Sequence, residues 1–289
     1  TITTKNIVIA TGARPFIPSI KGLDQVHYHT SDTIWSLREN PGRLIILGGG
    51  PIGSELTQSF NRLGALVTQI ERGPRILPRE DEDASLWVTN KFITEGVNLL
   101  TSHDAVEVIL EGDNKVLLCE HNDELVKIPF DNLLIAVGRT PNTKGLGLEK
   151  LNIETSANGA LVVDDFLRTN IPNIYGVGDV IGAFQFTHTA AHQAWFAAVN
   201  ALFGSFKKFA VDYRVIPWAT FTDPEVARVG LSEDEAKAQG ISYEVVKFDL
   251  EELDRAIADR HTDGFVKVLT VPGKDKILGV TIVGKQAGD

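Results

Sequence analysis

Residues 44–55, "LIILGGGPIGSE", constrain the fold more than any other stretch of this chain. Four apolar residues in a row read as a buried strand, and three consecutive glycines end it. Ile52, Leu56, Phe60 and Leu63 then recur at helical spacing. Gly64 is placed to cap that helix, and residues 66–70 form a second strand rich in β-branched side chains. Strand, helix and strand therefore fit within about thirty residues, the length of a parallel βαβ unit, with the glycines at its first joint.

Gly48, Gly50 and Gly53 have the spacing G-x-G-x-x-G. In a dinucleotide site such glycines serve the tight turn, the close approach of backbone to a pyrophosphate, and the packing of helix against strand. The same spacing alone is compatible with a ligand-free turn. Glu71, eighteen residues after Gly53 at the end of the second strand, favours the nucleotide, because a carboxylate there can accept hydrogen bonds from both ribose hydroxyls of an adenosine. It would also repel a 2′-phosphate, so NADH is expected over NADPH. Arg72 and Arg75 stand close enough to soften that preference, unless they are simply solvated.

Around this unit the chain alternates strands and helices, so the expected class is α/β. Residues 6–10 read as a strand followed by the turn "TGARP", and residues 31–38 as a short helix. A helix is expected over 83–95, a strand over 97–100, an antiparallel meander near Val106, Val116 and Val126, and a buried strand at 132–137 that runs into "GRTPN". Residues 161–180 read as two short strands with a polar turn, followed by a helix from Thr189 to about Phe203. Near the end, "SEDE" at 232–235 is a capping-box signature, Gly240 ends that helix, and strands follow near Val246, Val268 and Val280. The charges of "SEDEAKA" read as a solvated helix face.

The balance of 28 Lys and Arg against 38 Asp and Glu gives a formal charge of −10, which disfavours nucleic acid or an anionic membrane as the main partner. No apolar run approaches the roughly 20 residues that span a bilayer, and no basic-then-apolar leader is present, so a cytoplasmic location is expected. The single cysteine, Cys119, excludes a disulfide framework and any dithiol within the chain, and it reads as a partly buried structural thiol. His188 and His192 lie four residues apart, but no third ligand accompanies them, so no metal is expected.

Taken together, "TGARP", "GGGPIGSE", "IER", "IAVGRTPN" and "TNIPNIYGVGD" resemble the flavin-dependent pyridine nucleotide-disulfide oxidoreductases, the family of dihydrolipoamide dehydrogenase, glutathione reductase and mercuric reductase. The region "VIPWATFTDPEVARVGLSEDEAKAQG" resembles the start of that family's dimerisation domain. The resemblance implies that Gly48, Gly49, Gly50, Pro51, Ile52 and Gly53 wrap the NAD pyrophosphate, that Glu71 holds the ribose and that Glu55 lies beside the nicotinamide. It also implies that Gly138 and Arg139 close over the NAD, with the backbone near Asp104 passing the adenine. For FAD it points to Thr11 and Gly12, to Asp179 on the ribityl chain, and to Thr187 and His188 on the turn at the flavin's pyrimidine edge.

The implied fold is a Rossmann-like NAD-binding domain (43–159) inserted in a partial FAD-binding domain (1–42 and 160–207), followed by an incomplete dimerisation domain (212–289). The implied activity is hydride transfer from NADH to FAD and on to a disulfide or metal-ion acceptor, in a homodimer. The family's redox cysteine pair, its first glycine motif and its C-terminal histidine segment have no counterpart here. Both ends therefore read as cut, and the chain as an internal fragment. A preparation starting at Thr1 is expected to bind FAD weakly or not at all and to be inactive alone, leaving a non-catalytic NAD-binding fragment as the alternative.

Overall fold

The computed structural model describes residues 2–289. Among the described residues, five α-helices occur in chain order: α1 (Pro51–Arg62), α2 (Glu82–Thr94), α3 (Thr187–Phe203), α4 (Glu233–Ala238) and α5 (Asp254–Asp259). The chain divides into two compact units, residues 1–14 with 139–216, and residues 15–138 with 217–289. Among the described residues no helix is long and apolar enough to cross a membrane.

The larger unit is built on a parallel sheet in which His29–Thr30, Asn132–Ile135, Arg43–Leu47, Leu66–Ile70 and Asn98–Leu100 lie side by side in that order. Leu44, Ile45, Ile46 and Leu47 are all essentially inaccessible, as a central strand covered on both faces requires. One face packs on α1 through Ile52, Leu56 and Phe60. The other packs on the antiparallel meander Asp104–Glu111, Asn114–His121 and Glu124–Phe130. Pro51 at the first position starts α1, and a Schellman closure ends it. There the amides of Gly64 and Ala65 donate back to the carbonyls of Asn61 and Phe60, with Gly64 at φ 91°.

The same unit carries a five-stranded antiparallel sheet, ordered Pro217–Thr220, Glu225–Gly230, Ile277–Gly284, Phe265–Thr270 and Glu244–Asp249. Val226, Phe265 and Val283 of this sheet share one buried cluster with Ile76, Ala84, Val88 and Phe92 around α2. A buried ionic seam accompanies that apolar contact. Arg228 donates all five guanidinium hydrogens, to Glu80, Arg79 O, Gly230 O and both oxygens of Glu235, and its guanidinium lies 4.3 Å from the centre of the Trp218 ring. Lys267 Nζ meets Asp81 at 2.8 Å, Asp83 at 2.8 Å and Glu233 at 3.1 Å.

The expected capping box forms, with the Ser232 hydroxyl accepting from the Glu235 amide. The neighbouring charges do not form a solvated face, however. Glu233 and Glu235 pair with the buried Lys267 and Arg228, because a buried cation requires carboxylates within hydrogen-bond reach.

In the smaller unit a two-stranded parallel sheet joins Ile7–Ile9 to Ile174–Gly176, with α3 packed on it through Ala197. Residues 161–180 hold this one strand rather than two. Asp164 accepts from the amides of Phe166 and Arg168 and pairs with the Arg168 side chain, which folds the first half into a turn with Leu167 at φ 65°. The short helix expected over 31–38 is only a 3₁₀ turn, Ile34–Ser36, preceded by a Thr33 whose side chain makes no cap. Cys119 is fully rather than partly buried, and burial, with Asp104 nearby, pushes its thiol up to about 12.

Two outcomes follow for the seam. Arg228→Met leaves Glu80 charged and buried, so it should cost about 3–5 kcal/mol in urea unfolding. Adding Glu80→Gln should return part of that loss. Burial raises the Asp81 carboxyl, but hydrogen bonds from Lys267 and from the amides of Asp234 and Glu233 outweigh it and hold the group below its usual range. Its contribution is therefore complete above the unfolded value of about 4 and is lost as pH falls through the lower folded value. Asp81→Asn should flatten that acid limb of stability against pH, and an unchanged limb would count against the assignment.

Candidate functional site

The glycine loop sits at the carboxyl ends of the central parallel strands, where open α/β sheets bind ligands. Each glycine of the motif answers a different demand. Gly48 has φ 110°, and a Cβ on it would stand 2.4 Å from the carbonyl oxygen of Ala136. A Cβ on Gly53 would stand 2.1 Å from the Gly48 oxygen, so helix and loop could not close together. Gly50 differs from both. It caps α1 at φ −74° and ψ −179°, an ordinary conformation, and a Cβ there would meet nothing within 4 Å. The fold itself therefore does not demand glycine at 50, whereas a pyrophosphate lying against the backbone would. The exposed Pro51 and half-buried Ile52 follow as the first residues of α1.

Glu71 does more than end a strand. Its carboxylate accepts from the Gly49 amide at 2.6 Å through one oxygen and from the Gly73 amide at 2.6 Å through the other. Each oxygen keeps a lone pair, so the group can still accept from ribose hydroxyls while pinning the loop that would hold the phosphates. The Glu71 carbonyl accepts from the His103 amide and the Gly73 carbonyl from the Ser102 amide, which brings the exposed start of the strand at Asp104 beside this turn. Arg75 is not a free neighbour: it pairs with Asp234 at 2.8 Å and donates to Glu80 O. Arg72 is exposed.

Glu55 lies one turn into α1, half-buried, and accepts from the Phe221 amide at 2.9 Å. Burial pushes its carboxyl above the usual range, and the bond from Phe221 opposes that shift. Gly138, at φ 136°, follows the strand beside the glycine loop, and its carbonyl accepts from the Phe16 amide.

Three residues near this site were missed. Gln69, fully buried, donates to Gly48 O at 3.0 Å and to the Ser54 hydroxyl at 3.3 Å. A glutamine at an inward-facing strand position was the available signal. His103 and His121 stack with ring centres 4.1 Å apart next to Asp104, and nothing in their spacing announced the pair.

In the smaller unit, Thr11 and Gly12 are laced to Asn142. The Thr11 hydroxyl donates to Asn142 O, the Asn142 side chain returns a bond to Thr11 O, and the Asn142 amide donates to Gly12 O. Asp179 follows Gly178, whose φ is 75° and whose amide donates to the buried Gln193. Arg139 Nε lies 3.3 Å from Asp179 Oδ2, and its guanidinium donates to Ala13 O. The structure thus groups Arg139 with the residues read for FAD.

Thr187 and His188 are not on a turn. The helix begins two residues earlier than expected, so both are exposed in the first turn of α3, after an uncapped Phe186. The Thr189 hydroxyl in the same turn is buried without a hydrogen-bond partner. The buried, unpartnered Thr189 hydroxyl and the positive end of α3 together suit an electron-rich ring edge. Among the described residues, no three His, Cys, Asp or Glu side chains stand together as a metal site.

Comparison with known proteins gives matches along nearly the whole chain. The family model described as pyridine nucleotide-disulphide oxidoreductase matches residues 1–194, and the dimerisation-domain model of that family matches 216–289. The chain is 38% identical to a mercuric reductase of Bacillus cereus over its whole length, covering 45% of that protein. It is 36% identical to a dihydrolipoyl dehydrogenase of Chlamydia pneumoniae over 99% of the chain and 60% of the relative. Among solved structures, the HOCl-induced flavoprotein disulfide reductase RclA of Escherichia coli superposes with a TM-score of 0.88 at 31% identity, over 99% of this chain and 65% of that one. LpdA of Mycobacterium tuberculosis also gives 0.88, at 28% identity, over 98% and 61%. The chain spans about half the length of the curated relatives it matches.

The contrast between the glycines is testable. Gly50→Ser places a good helix cap in open space, so unfolding free energy should stay within about 1 kcal/mol, while NADH titration should show at least tenfold weaker binding. Gly53→Ala should instead cost about 1–3 kcal/mol of stability.

Proposed function

The chain belongs to the pyridine nucleotide-disulphide oxidoreductases, and we propose that it carries the NADH site and part of the FAD site of a homodimeric flavoenzyme. That enzyme passes hydride from NADH to FAD and on to a disulfide or metal-ion acceptor. In this reading residues 43–159 form the NAD domain, 1–42 with 160–207 belong to the FAD domain, and 212–289 to the dimerisation domain. Gly48, Gly49, Gly50, Pro51, Ile52 and Gly53 take the pyrophosphate, Glu71 the ribose, and Glu55 the nicotinamide end, with Asp104 and Gly138 at the margins. Thr11, Gly12, Asp179, Thr187 and His188 attend the FAD, joined by Arg139 through its contact with Asp179.

The observation that carries this reading is the pairing of an unneeded glycine, Gly50, with a carboxylate, Glu71, that holds the next amide and retains free lone pairs. FAD supplies the two-electron relay, and the residues of this chain bind and orient. In its charged form the Glu55 carboxyl would favour the positive charge that develops on the nicotinamide as hydride leaves. A non-catalytic NAD-binding fragment is the second reading, supported by Cys119: fully buried, with its thiol pushed up to about 12, it offers no thiolate for exchange.

Because Glu71 bars a 2′-phosphate and Arg75 is committed to Asp234, stopped-flow reduction of the flavin in the full-length protein should be at least tenfold faster with NADH than with NADPH. Glu71→Ala should narrow that ratio. Equal rates with the two nucleotides would overturn the assignment of Glu71.

A further inference from the structure

One face of α1 is read by the loop that follows Pro217–Thr220. Glu55, Gln58 and Arg62 stand at i, i+3 and i+7, on a single stripe of the helix. Glu55 accepts from the Phe221 amide at 2.9 Å. Gln58 clasps the backbone of Asp223 from both sides, accepting from its amide at 2.7 Å and donating to its carbonyl at 2.9 Å. Arg62 reaches the Asp223 carboxylate at 2.7 Å and holds Glu95 by a forked pair. Glu95 in turn lies 3.3 Å from Gln58 Nε2, which fixes which way the amide points. Gln58 is almost fully buried.

We propose that Gln58 is a positioning residue for hydride transfer: by clasping Asp223 it holds the Phe221 amide against Glu55, and so sets where the Glu55 carboxylate stands. The inference rests on the reading of Glu55 beside the nicotinamide. The physical case is that a surface loop carries an exposed Phe221 ring and has no ladder partner for the Phe221 amide beyond Glu55, so its register on α1 depends on the two-sided clasp two residues later. A buried amide side chain that satisfies both a backbone N–H and a backbone C=O has one orientation only, and losing it leaves both backbone groups unpaired. Arg62 alone cannot replace it, because it holds the Asp223 side chain rather than its backbone. The dimerisation-domain loop is in this way coupled to the helix whose first turn forms the nucleotide cradle.

Two readouts test this. The first needs no cofactor: hydrogen exchange at the Phe221 amide. Protection there should fall at least tenfold in Gln58→Ala, although the Phe221 amide donates to Glu55 and not to Gln58. Retained protection overturns the inference.

The second is a double-mutant cycle on flavin reduction by NADH in the full-length, FAD-loaded protein. Gln58→Ala should slow reduction at least fivefold while changing NADH affinity less than twofold, and the same change should have no further effect in a Glu55→Gln background. Phe221→Pro, which deletes the donor without touching α1, should reproduce the slowing if Gln58→Ala folds poorly. A Gln58 effect that persists undiminished beside Glu55→Gln overturns the inference. Faster exchange at Phe221 with flavin reduction indifferent to Glu55→Gln would instead overturn the placement of Glu55 beside the nicotinamide, and with it the catalytic consequence drawn here.

Discussion

The carboxylate of Glu71 is the interaction on which the proposed nucleotide site depends. It spans the two turns that follow adjacent parallel strands, taking the Gly49 amide on one oxygen and the Gly73 amide on the other. A charge-assisted bond to a backbone amide is among the stronger hydrogen bonds in proteins, and here two of them converge on one side chain. Gly49 must lack a Cβ for this to happen, since one would lie 2.9 Å from the Glu71 side chain. In the proposed site the residue that would select the ribose is thus the residue that shapes the glycine loop, which would make cofactor choice and loop geometry one property rather than two.

From that loop the constraint runs along α1. Its first turn is set by Gly48 and Gly53, its inner face by Ile52, Leu56 and Phe60, and its remaining stripe by the backbone of residues 221–223. The buried seam around Arg228 and Lys267 secures the same association further along, between the segment 79–83 and the antiparallel sheet. Such pairs add less stability than their number suggests, because desolvation offsets much of the attraction. What they add is a single allowed arrangement, since any shift would leave a buried charge unpaired.

Local signals carried much of this into the sequence. The βαβ unit, the meander, the capping box of α4 and the glycine motif each rest on residues within a few positions of one another, and all of them form. Part of what escaped was set by partners elsewhere in the chain, and part by a local competitor for the backbone. Glu233 and Glu235 read as solvated until Lys267 and Arg228 reach them, and the contact of the Arg139 guanidinium with Asp179, forty residues on, left no mark in the local sequence. The second strand expected within 161–180 was lost to Asp164, whose side chain offers the backbone a competing set of bonds. Gln58 and Gln69 carried only the weak signal of a polar residue on a buried face.

The central claim is that the nucleotide site is complete within the unit formed by residues 15–138 and 217–289. Calorimetric titration of the 289-residue chain with NADH, with NADPH alongside, tests it most directly. The account predicts saturable one-to-one binding of NADH, with NADPH at least tenfold weaker. No heat with NADH, or equal affinity for the two nucleotides, would contradict it.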